Sequence, residues 1–526
     1  LYVEDLKGAA AQGSNVNLQL VATQVHPEVA AWQSSAVQLK AGRNEVTVPR
    51  IGSYAKEAGG SLYLRYTGEK GAKEYAVRVI GGTRIPVLNL DGVTGSERTA
   101  RIEAYVEELG AYAGSVSALH ESTHSDIGYA YQANECFLNV TEITMENMMF
   151  SVPATQVWAA ISANPTAKLA NSIAAMEQEI DYFYQFKGLN KAATDADAYP
   201  NTRLNIRYHQ MFTGAFMYAG GKHIGIEWGS VVGLFQTNPI TTDANGKKTG
   251  GNYSGWGVAH EIGHCINAAS YQRVEVTNNI FAQLAQTDET NATARPQPNN
   301  IYKAVVTGTT GHTGNLATQL GMYWQLHLAY DNDYSFKVYD SIEAQQAGLF
   351  YARAESYLRT PGKAKYPLTT TSGDQGFMQA VCAAAERDVL DFFRAWGIIP
   401  NQATEAYAAQ YAKETRKIQY LDDNSRLYRL ENKPGMSSGT TVTAAITTPI
   451  LNSQINSSRV TISLSNSNTN ENAMLGYEIS RNGKTVAFVP AGEASYTDVV
   501  TTENNRSFVY TVTGLDRRLN ETQTVV

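Results

Sequence analysis

In the stretch Gly257-Val258-Ala259-His260-Glu261-Ile262-Gly263-His264, two histidines stand four apart with a glutamate beside the first. On an α-helix, residues at that spacing lie one above the other, so both imidazoles can face one metal ion. Glu261 can then take a proton from the water that attacks a substrate. Two histidines four apart are, by themselves, as readily an ordinary pair on a helix surface or in a core. The intervening Glu261 and a carboxylate farther on turn the reading towards metal. The expected chemistry is zinc-assisted hydrolysis, with a peptide bond as the target.

Two imidazoles need a third protein ligand, the fourth position being left for water. One zincin pattern, H-E-x-x-H-x-x-G-x-x-H, is absent, because Asn267 and Ser270 stand where its glycine and third histidine would be. A downstream carboxylate is the alternative, and Glu275, Asp288 and Glu289 are the candidates. On one unbroken helix Glu275 would lie about 16 Å along the axis from His264, too far to share an ion. The chain must therefore turn back, and the polar stretch 267–273 can end the first helix. A second helix opening at Glu275 would return that carboxylate to the metal, whereas Asp288 and Glu289 read as solvated loop residues. Glu275 is thus the expected third ligand.

Other residues in the neighbourhood read more simply. Trp256 is expected in the core. Cys265 is expected to be a small buried apolar residue. His120, His124 and His223 carry no ligand spacing and are expected to be structural. Tyr218 or His223 would be placed to polarise a tetrahedral intermediate only if the fold brought one of them to the site.

The elements that hold this motif change character along the chain. Asn15–Leu20, Glu45–Val48, Ser61–Tyr66 and Glu74–Val79 alternate at period two between glycine-containing breaks, which predicts a β-sandwich over residues 1–90. Helical periodicity is expected over 97–109, 155–187, 257–286 (interrupted), 316–349 and 375–396, with a mixed stretch at 203–229. Residues 91–432 then form an α+β domain of zincin type with a large helical part. A linker is expected at Asn432–Gly439. Beyond it, Tyr477–Arg481 and Lys484–Val489 flank Asn482-Gly483, a two-residue hairpin signal, and Ser507–Val512 adds a strand. Residues 441–526 are therefore expected to form an immunoglobulin- or fibronectin-like β-sandwich.

Composition bounds the remaining classes. The chain has 526 residues, 43% hydrophobic and 10% aromatic, as expected of a multidomain globular protein. A formal net charge of −7 and the absence of any basic block exclude a nucleic-acid reading. No run of 18 apolar residues is present, so no transmembrane helix is expected. The three cysteines, Cys136, Cys265 and Cys382, lie too far apart for a C-x-x-C pair or a disulfide scaffold. The chain opens at Leu1 without a methionine, as expected of a trimmed form whose signal or anchor lies outside it.

Four stretches together resemble the enhancin-like zinc peptidases, peptidase class M60, which include bacterial mucin-degrading enzymes. They are Met217-Tyr218-Ala219-Gly220, Trp256–His264, Glu275-Val276-Thr277-Asn278-Asn279 and Glu386–Gly397. The family pattern has a Trp-Gly lead-in, a downstream E-V-x-x-N and a later D-x-x-x-F-F-x-x-W-G, all present here in order over roughly residues 90 to 430. The resemblance implies that His260, His264 and Glu275 bind zinc and that Glu261 is the general base. It also implies cleavage of O-glycosylated, mucin-type glycoproteins outside the cell, by a secreted or surface-exposed enzyme whose flanking β-modules help engage glycans. Family members often continue the Ala-Gly segment with Tyr-Pro, whereas Gly221-Lys222-His223 follows here, so detailed sugar preference is not implied.

Two rival readings make different predictions. A catalytically silent glycan-binding adhesin on a peptidase scaffold would suit the 31 tyrosines and the flanking β-regions, but it predicts loss of Glu261 or of a ligand, and both are intact. A zinc hydrolase of small amides or esters predicts turnover of small substrates without fragmentation of proteins.

Overall fold

The N-terminal alternation folds into two three-stranded sheets. Strands β1 (Tyr2–Asp5), β2 (Asn15–Thr23), β3 (Val37–Lys40), β4 (Gly42–Arg43), β5 (Ser61–Tyr66) and β6 (Tyr75–Arg78) pair in the orders β4-β1-β6 and β3-β2-β5. Val3 of the first sheet and Val16, Leu18, Leu20 and Leu39 of the second share one buried cluster. Period two aims alternate side chains at that cluster. The strand expected at Glu45–Val48 is absent. The Asn44 carboxamide accepts from the Lys40 amide at 2.8 Å and donates to the Lys40 and Gly42 carbonyls at 2.8 and 3.0 Å. A side chain that takes up backbone groups in this way competes with a ladder and ends it.

This computed structural model describes residues 1–8, 10–23, 33–48, 60–69, 71–125, 128–211, 214–221, 223–244, 248–290, 295–331, 338–446, 450–452, 457–501 and 507–526. They divide into two units, Leu1–Glu177 with Pro200–Pro239, and Gln178–Tyr199 with Ile240–Val526. Among the described residues no helix is long and apolar enough to cross a membrane.

The first unit continues with β7 (Val87–Asn89), α1 (Gly95–His124), β8 (Thr141–Thr144), β9 (Met148–Val152), α2 (Ala154–Ile161) and α3 (Pro165–Phe186), whose end passes into the second unit. The helix expected over 155–187 breaks at 162–164, where Pro165 opens a new helix. Then come β10 (Leu204–Tyr208), β11 (Met217–Gly220), β12 (His223–Ile226) and α4 (Trp228–Leu234). The six strands β7 to β12 form one mixed sheet in the order β11-β12-β10-β9-β8-β7. Ile143, Phe150, Ile206 and Ile224, one from each central strand, are almost wholly buried.

A two-stranded ribbon, β13 (Asn238–Thr242) with β14 (Lys248–Asn252), leads into the helical part of the second unit. That part comprises α5 (Gly255–Ile266), α6 (Asn279–Thr290), α7 (Pro298–Thr307), α8 (Leu316–Tyr330), α9 (Ile342–Gly348), α10 (Phe350–Arg359), α11 (Gly373–Ala385), α12 (Leu390–Ala395), α13 (Gln402–Ala408) and α14 (Asp423–Leu430). The stretch expected over 375–396 divides because Glu386 adopts the left-handed conformation (φ 52°) and caps α11. The stretch expected over 316–349 divides into α8 and α9, with residues 332–337 outside the described residues.

The chain ends in β15 (Val442–Ile446), β16 (Ile450–Asn452), β17 (Ser457–Asn466), β18 (Met474–Arg481), β19 (Lys484–Pro490), β20 (Ser495–Thr501) and β21 (Tyr510–Asp516). Strand β17 pairs with β15, β16 and β20, while β18 pairs with β19 and β21. Ile462 and Leu464 of the first sheet meet Tyr477, Ile479 and Val512 of the second in one core. Asn482 (φ 50°) and Gly483 (φ 76°) make the expected hairpin turn between β18 and β19, both in the left-handed region that such turns require. The last strand starts at Tyr510 rather than Ser507.

Candidate metal centre

Helix α5 carries the motif because its two faces separate cleanly. Val258, Ala259, Ile262 and Ile266 are buried, which fixes the helix in the core and turns His260 and His264 to one side. Asn267 ends the helix in an extended conformation (ψ 150°). Its Oδ1 accepts from the Ala268 amide at 3.0 Å and from Thr277 Oγ1 at 3.0 Å, pinning the returning chain. Thr277 Oγ1 in turn accepts from the Arg273 amide at 2.9 Å. Between these anchors Glu275 takes φ 65°, a left-handed conformation uncommon for a residue with a Cβ. Helix α6 therefore begins at Asn279, and Glu275 sits on the turn before it rather than opening the helix as expected.

This turn delivers the carboxylate to the histidines. Glu275 Oε2 lies 3.3 Å from His260 Nε2, and Oε1 lies 3.2 Å from His264 Nε2. The two Nε2 atoms are 3.1 Å apart. A tetrahedral ion with ligand bonds of 2.0–2.1 Å requires donor separations of about 3.3 Å. The donor chemistry and the spacing thus both fit a zinc-sized ion, and this is the group of described His, Cys, Asp and Glu side chains that could hold one.

Outer contacts orient the donors. His260 Nδ1 lies 2.6 Å from Asn279 Oδ1, so this nitrogen donates and Nε2 is left facing Glu275. The Asn279 amide donates to the Glu275 carbonyl at 2.6 Å, tying one residue to both a histidine and the turn. Asn278 Nδ2 lies 3.2 Å from His264 Nε2. Gly263 lets the helix and the turn pass closely, since a Cβ there would fall 2.2 Å from the Asn278 carbonyl oxygen. Asn278, Asn279 and Gly263 were not assigned roles from sequence, although both asparagines lie within the E-V-x-x-N stretch.

Glu261 is 8% exposed, and its carboxylate interacts electrostatically with His260 and Glu275. Burial raises its pKa above the usual carboxylate range; Glu275 adds to the rise, and His260 opposes it. Burial lowers the pKa of His264, and the neighbouring His260 lowers it further, against Glu275. A neutral imidazole with its lone pair available is the form that ligates.

Several expectations need correction. Trp256 is only half-buried, and the Arg295 guanidinium lies 3.5 Å over its ring. One helical turn before His260, it borders solvent rather than filling the core. Cys265 is likewise half-buried. Positions 288 and 289 lie in α6 rather than in a loop, and the side chains of Asp288 and Glu289 are outside the described ones. His120 is fully buried, with Nε2 3.0 Å from the Tyr129 carbonyl, and stacks on His124 at 4.2 Å. In the first unit the Tyr218 hydroxyl lies 2.5 Å from His209 Nδ1 and 3.2 Å from His223 Nε2. His209, buried at the end of β10, was not singled out from sequence.

Comparison with known proteins follows the same residues. The profile of the peptidase M60, enhancin and enhancin-like family matches residues 121–397. The M60 catalytic domain of Clostridium perfringens ZmpC, in complex with the sialyl T antigen, is 22% identical with a TM-score of 0.67, over 100% of this chain and 91% of that one. The ZmpB metallopeptidase of Clostridium perfringens is 24% identical with a TM-score of 0.68, over 100% and 92%. A metallopeptidase in complex with Tn antigen is 16% identical with a TM-score of 0.61, over 99% and 90%. No curated protein matches the chain.

Proposed function

Because the chain belongs to the peptidase M60, enhancin and enhancin-like family, we propose that it is a zinc-dependent endopeptidase that cleaves O-glycosylated, mucin-type proteins. The observation that carries the reading is the convergence of His260, His264 and Glu275 within 3.3 Å of one another beside Glu261. These three side chains would hold the ion. When bound, zinc lowers the pKa of a water towards about 7 and polarises the scissile carbonyl.

The chain's own residues supply the rest. Glu261, with its proton affinity raised by burial, accepts the proton of the attacking water and passes it to the leaving amine. Asn279 holds the His260 ring and the Glu275 turn in register, so the donors need no rearrangement before binding. The retained Glu261 argues against a silent adhesin.

The substrate class rests on likeness. Two relatives of the same fold are described in complex with sialyl T antigen and with Tn antigen. Mucin-type glycoproteins lie outside cells, which supports a secreted or surface-exposed enzyme. We assign residues 91–432 to the catalytic domain, residues 1–90 to an N-terminal β-sandwich and residues 441–526 to an immunoglobulin-like module. The shared core of each terminal pair of sheets supports the two β assignments.

The test is metal content with activity. Wild type and Glu261→Gln should each bind one zinc, while cleavage of a mucin by Glu261→Gln falls by about 10²–10⁴-fold. His260→Ala and Glu275→Gln should lose zinc together with cleavage. A wild-type protein without zinc, or a Glu261→Gln variant as active as wild type, contradicts the proposal.

A further inference from the structure

The second unit contains a cleft of about 720 Å³ to which neither Glu261 nor any of the three metal donors contributes. It opens between the first turn of α7, the start of α14 and the loops that follow β17, β19 and β21. That volume falls in the range of small-molecule sites, about 300–1,000 Å³.

Seven of its lining residues carry carboxamides, and five of these fall into two groups. Asn466, Asn468 and Asn470 donate to the Tyr477 hydroxyl, the Asn470 carbonyl and the Gly435 carbonyl at 2.6, 2.6 and 2.7 Å, which fixes the shape of the rim. Asn299 and Asn424 make no side-chain hydrogen bond to another described residue and face the cleft. A carboxamide offers both a donor and an acceptor to a ligand.

Deeper polar groups are pre-ordered as well. Asp422 Oδ1 accepts from Arg517 Nη1 at 2.9 Å and from the Ser425 amide and hydroxyl at 2.8 and 2.7 Å, which leaves Oδ2 to the cleft. Arg517 Nε donates to the Asn472 carbonyl at 2.9 Å. The Tyr302 ring is 3% exposed, packs against Phe488 at 4.6 Å, and its hydroxyl makes no hydrogen bond to another described residue. Burial and the nearby Asp422 hold this phenol protonated, so it can donate. Tyr302 lines the cleft, so this hydroxyl is available to a ligand oxygen.

Charge and apolar surface narrow the ligand. Asp422 and Glu471 outnumber Arg517 among the charged lining groups, which disfavours an anionic ligand. Met474, Leu475, Pro490 and Ala491 add an apolar patch. Amide donors and acceptors beside such a patch match an acetamido group, whose N–H and C=O pair with carboxamides while its methyl needs apolar cover. We propose that this cleft is a saccharide-binding site for a neutral, N-acetylated oligosaccharide, separate from the metal centre. It would retain a glycan chain independently of hydrolysis.

The probe is N-acetyllactosamine, with its 3′-sialylated form as comparison, added to the full-length protein and followed by saturation-transfer NMR and calorimetry. Two variants block the cleft, Ala491→Trp by filling it and Asn299→Ala with Asn424→Ala by removing exposed carboxamides. The double variant alters only exposed side chains and keeps the test valid if the tryptophan disturbs folding. Wild type should bind N-acetyllactosamine more tightly than the sialylated form. Both variants should weaken that binding at least tenfold while keeping the zinc content of wild type. No binding to wild type at about 10 mM probe, equal binding by wild type and variants, or preference for the sialylated form overturns the assignment. The binding readout does not depend on peptidase activity, so it stands apart from the catalytic proposal.

Discussion

Replacing Gly263 with alanine tests whether the metal centre depends on the close passage of two backbone segments. The added Cβ would lie 2.2 Å from the Asn278 carbonyl oxygen, 2.9 Å from its carbon and 3.1 Å from its Cα. Carbon–oxygen contacts settle at about 3.3 Å or longer, so the turn carrying Glu275 must retreat by about 1 Å. The obstacle is backbone, which cannot swing aside as a side chain tip would. Two effects then oppose each other in stability. Alanine gains about 1 kcal/mol of helix propensity, while overpacking costs about 1–3 kcal/mol. Melting temperature is therefore a poor readout, and metal affinity a good one. Displacing the supports of a metal ligand lowers affinity by about 10–100-fold. Competition with a chromophoric chelator for zinc reads this directly. Gly114→Ala, in helix α1 with nothing within 4 Å of the new Cβ, is the control and should leave zinc affinity unchanged. A Gly263→Ala protein that binds zinc as tightly as wild type and cleaves as fast would refute the reasoning.

Three further outcomes are expected. Asn279→Ala removes the acceptor of His260 Nδ1 and the donor to the Glu275 carbonyl, and should weaken zinc binding about 10–100-fold in the chelator titration without unfolding the protein. Buried Glu142, which bonds the Tyr63 hydroxyl and accepts from Ser151 Oγ at 2.9 Å, has its pKa raised by burial from 4.5 to about 7. The folded state then holds a proton that the unfolded state releases between those values, so this stabilisation is complete below about pH 4.5 and lost by about pH 7. Denaturant titrations should show about 3 kcal/mol of stability lost across that window from this group, and Glu142→Gln should flatten that part of the profile. Trp396 is fully buried and its indole donates to Gln325 Oε1 at 3.0 Å. Trp396→Ala should cost about 3–5 kcal/mol in the same titration, and a loss below about 1 kcal/mol would contradict its place in the core.

The sequence revealed the centre more fully than its supports. Helix α5 was legible because helical periodicity and the His260, Glu261, His264 spacing agree on one face. The need for the chain to turn back before Glu275 followed from helix rise alone. The form of that turn did not, because it depends on Thr277 bonding Asn267 ten residues earlier and on a left-handed glutamate. Gly263 looked like an indifferent helix residue, since only the approach of Asn278 gives it meaning. Local side-chain chemistry also escaped the periodicity at Glu45–Val48, where Asn44 ends the ladder. The cleft beside α7 was invisible, as its lining comes from segments more than a hundred residues apart.

The most direct test of the proposed activity is digestion of one mucin before and after enzymatic removal of its O-glycans, with Glu261→Gln alongside. Fragments from wild type that disappear after deglycosylation, and never appear with Glu261→Gln, are the predicted result. An untouched mucin in every lane, or equal cutting of the glycosylated and stripped protein, would contradict a glycan-directed peptidase.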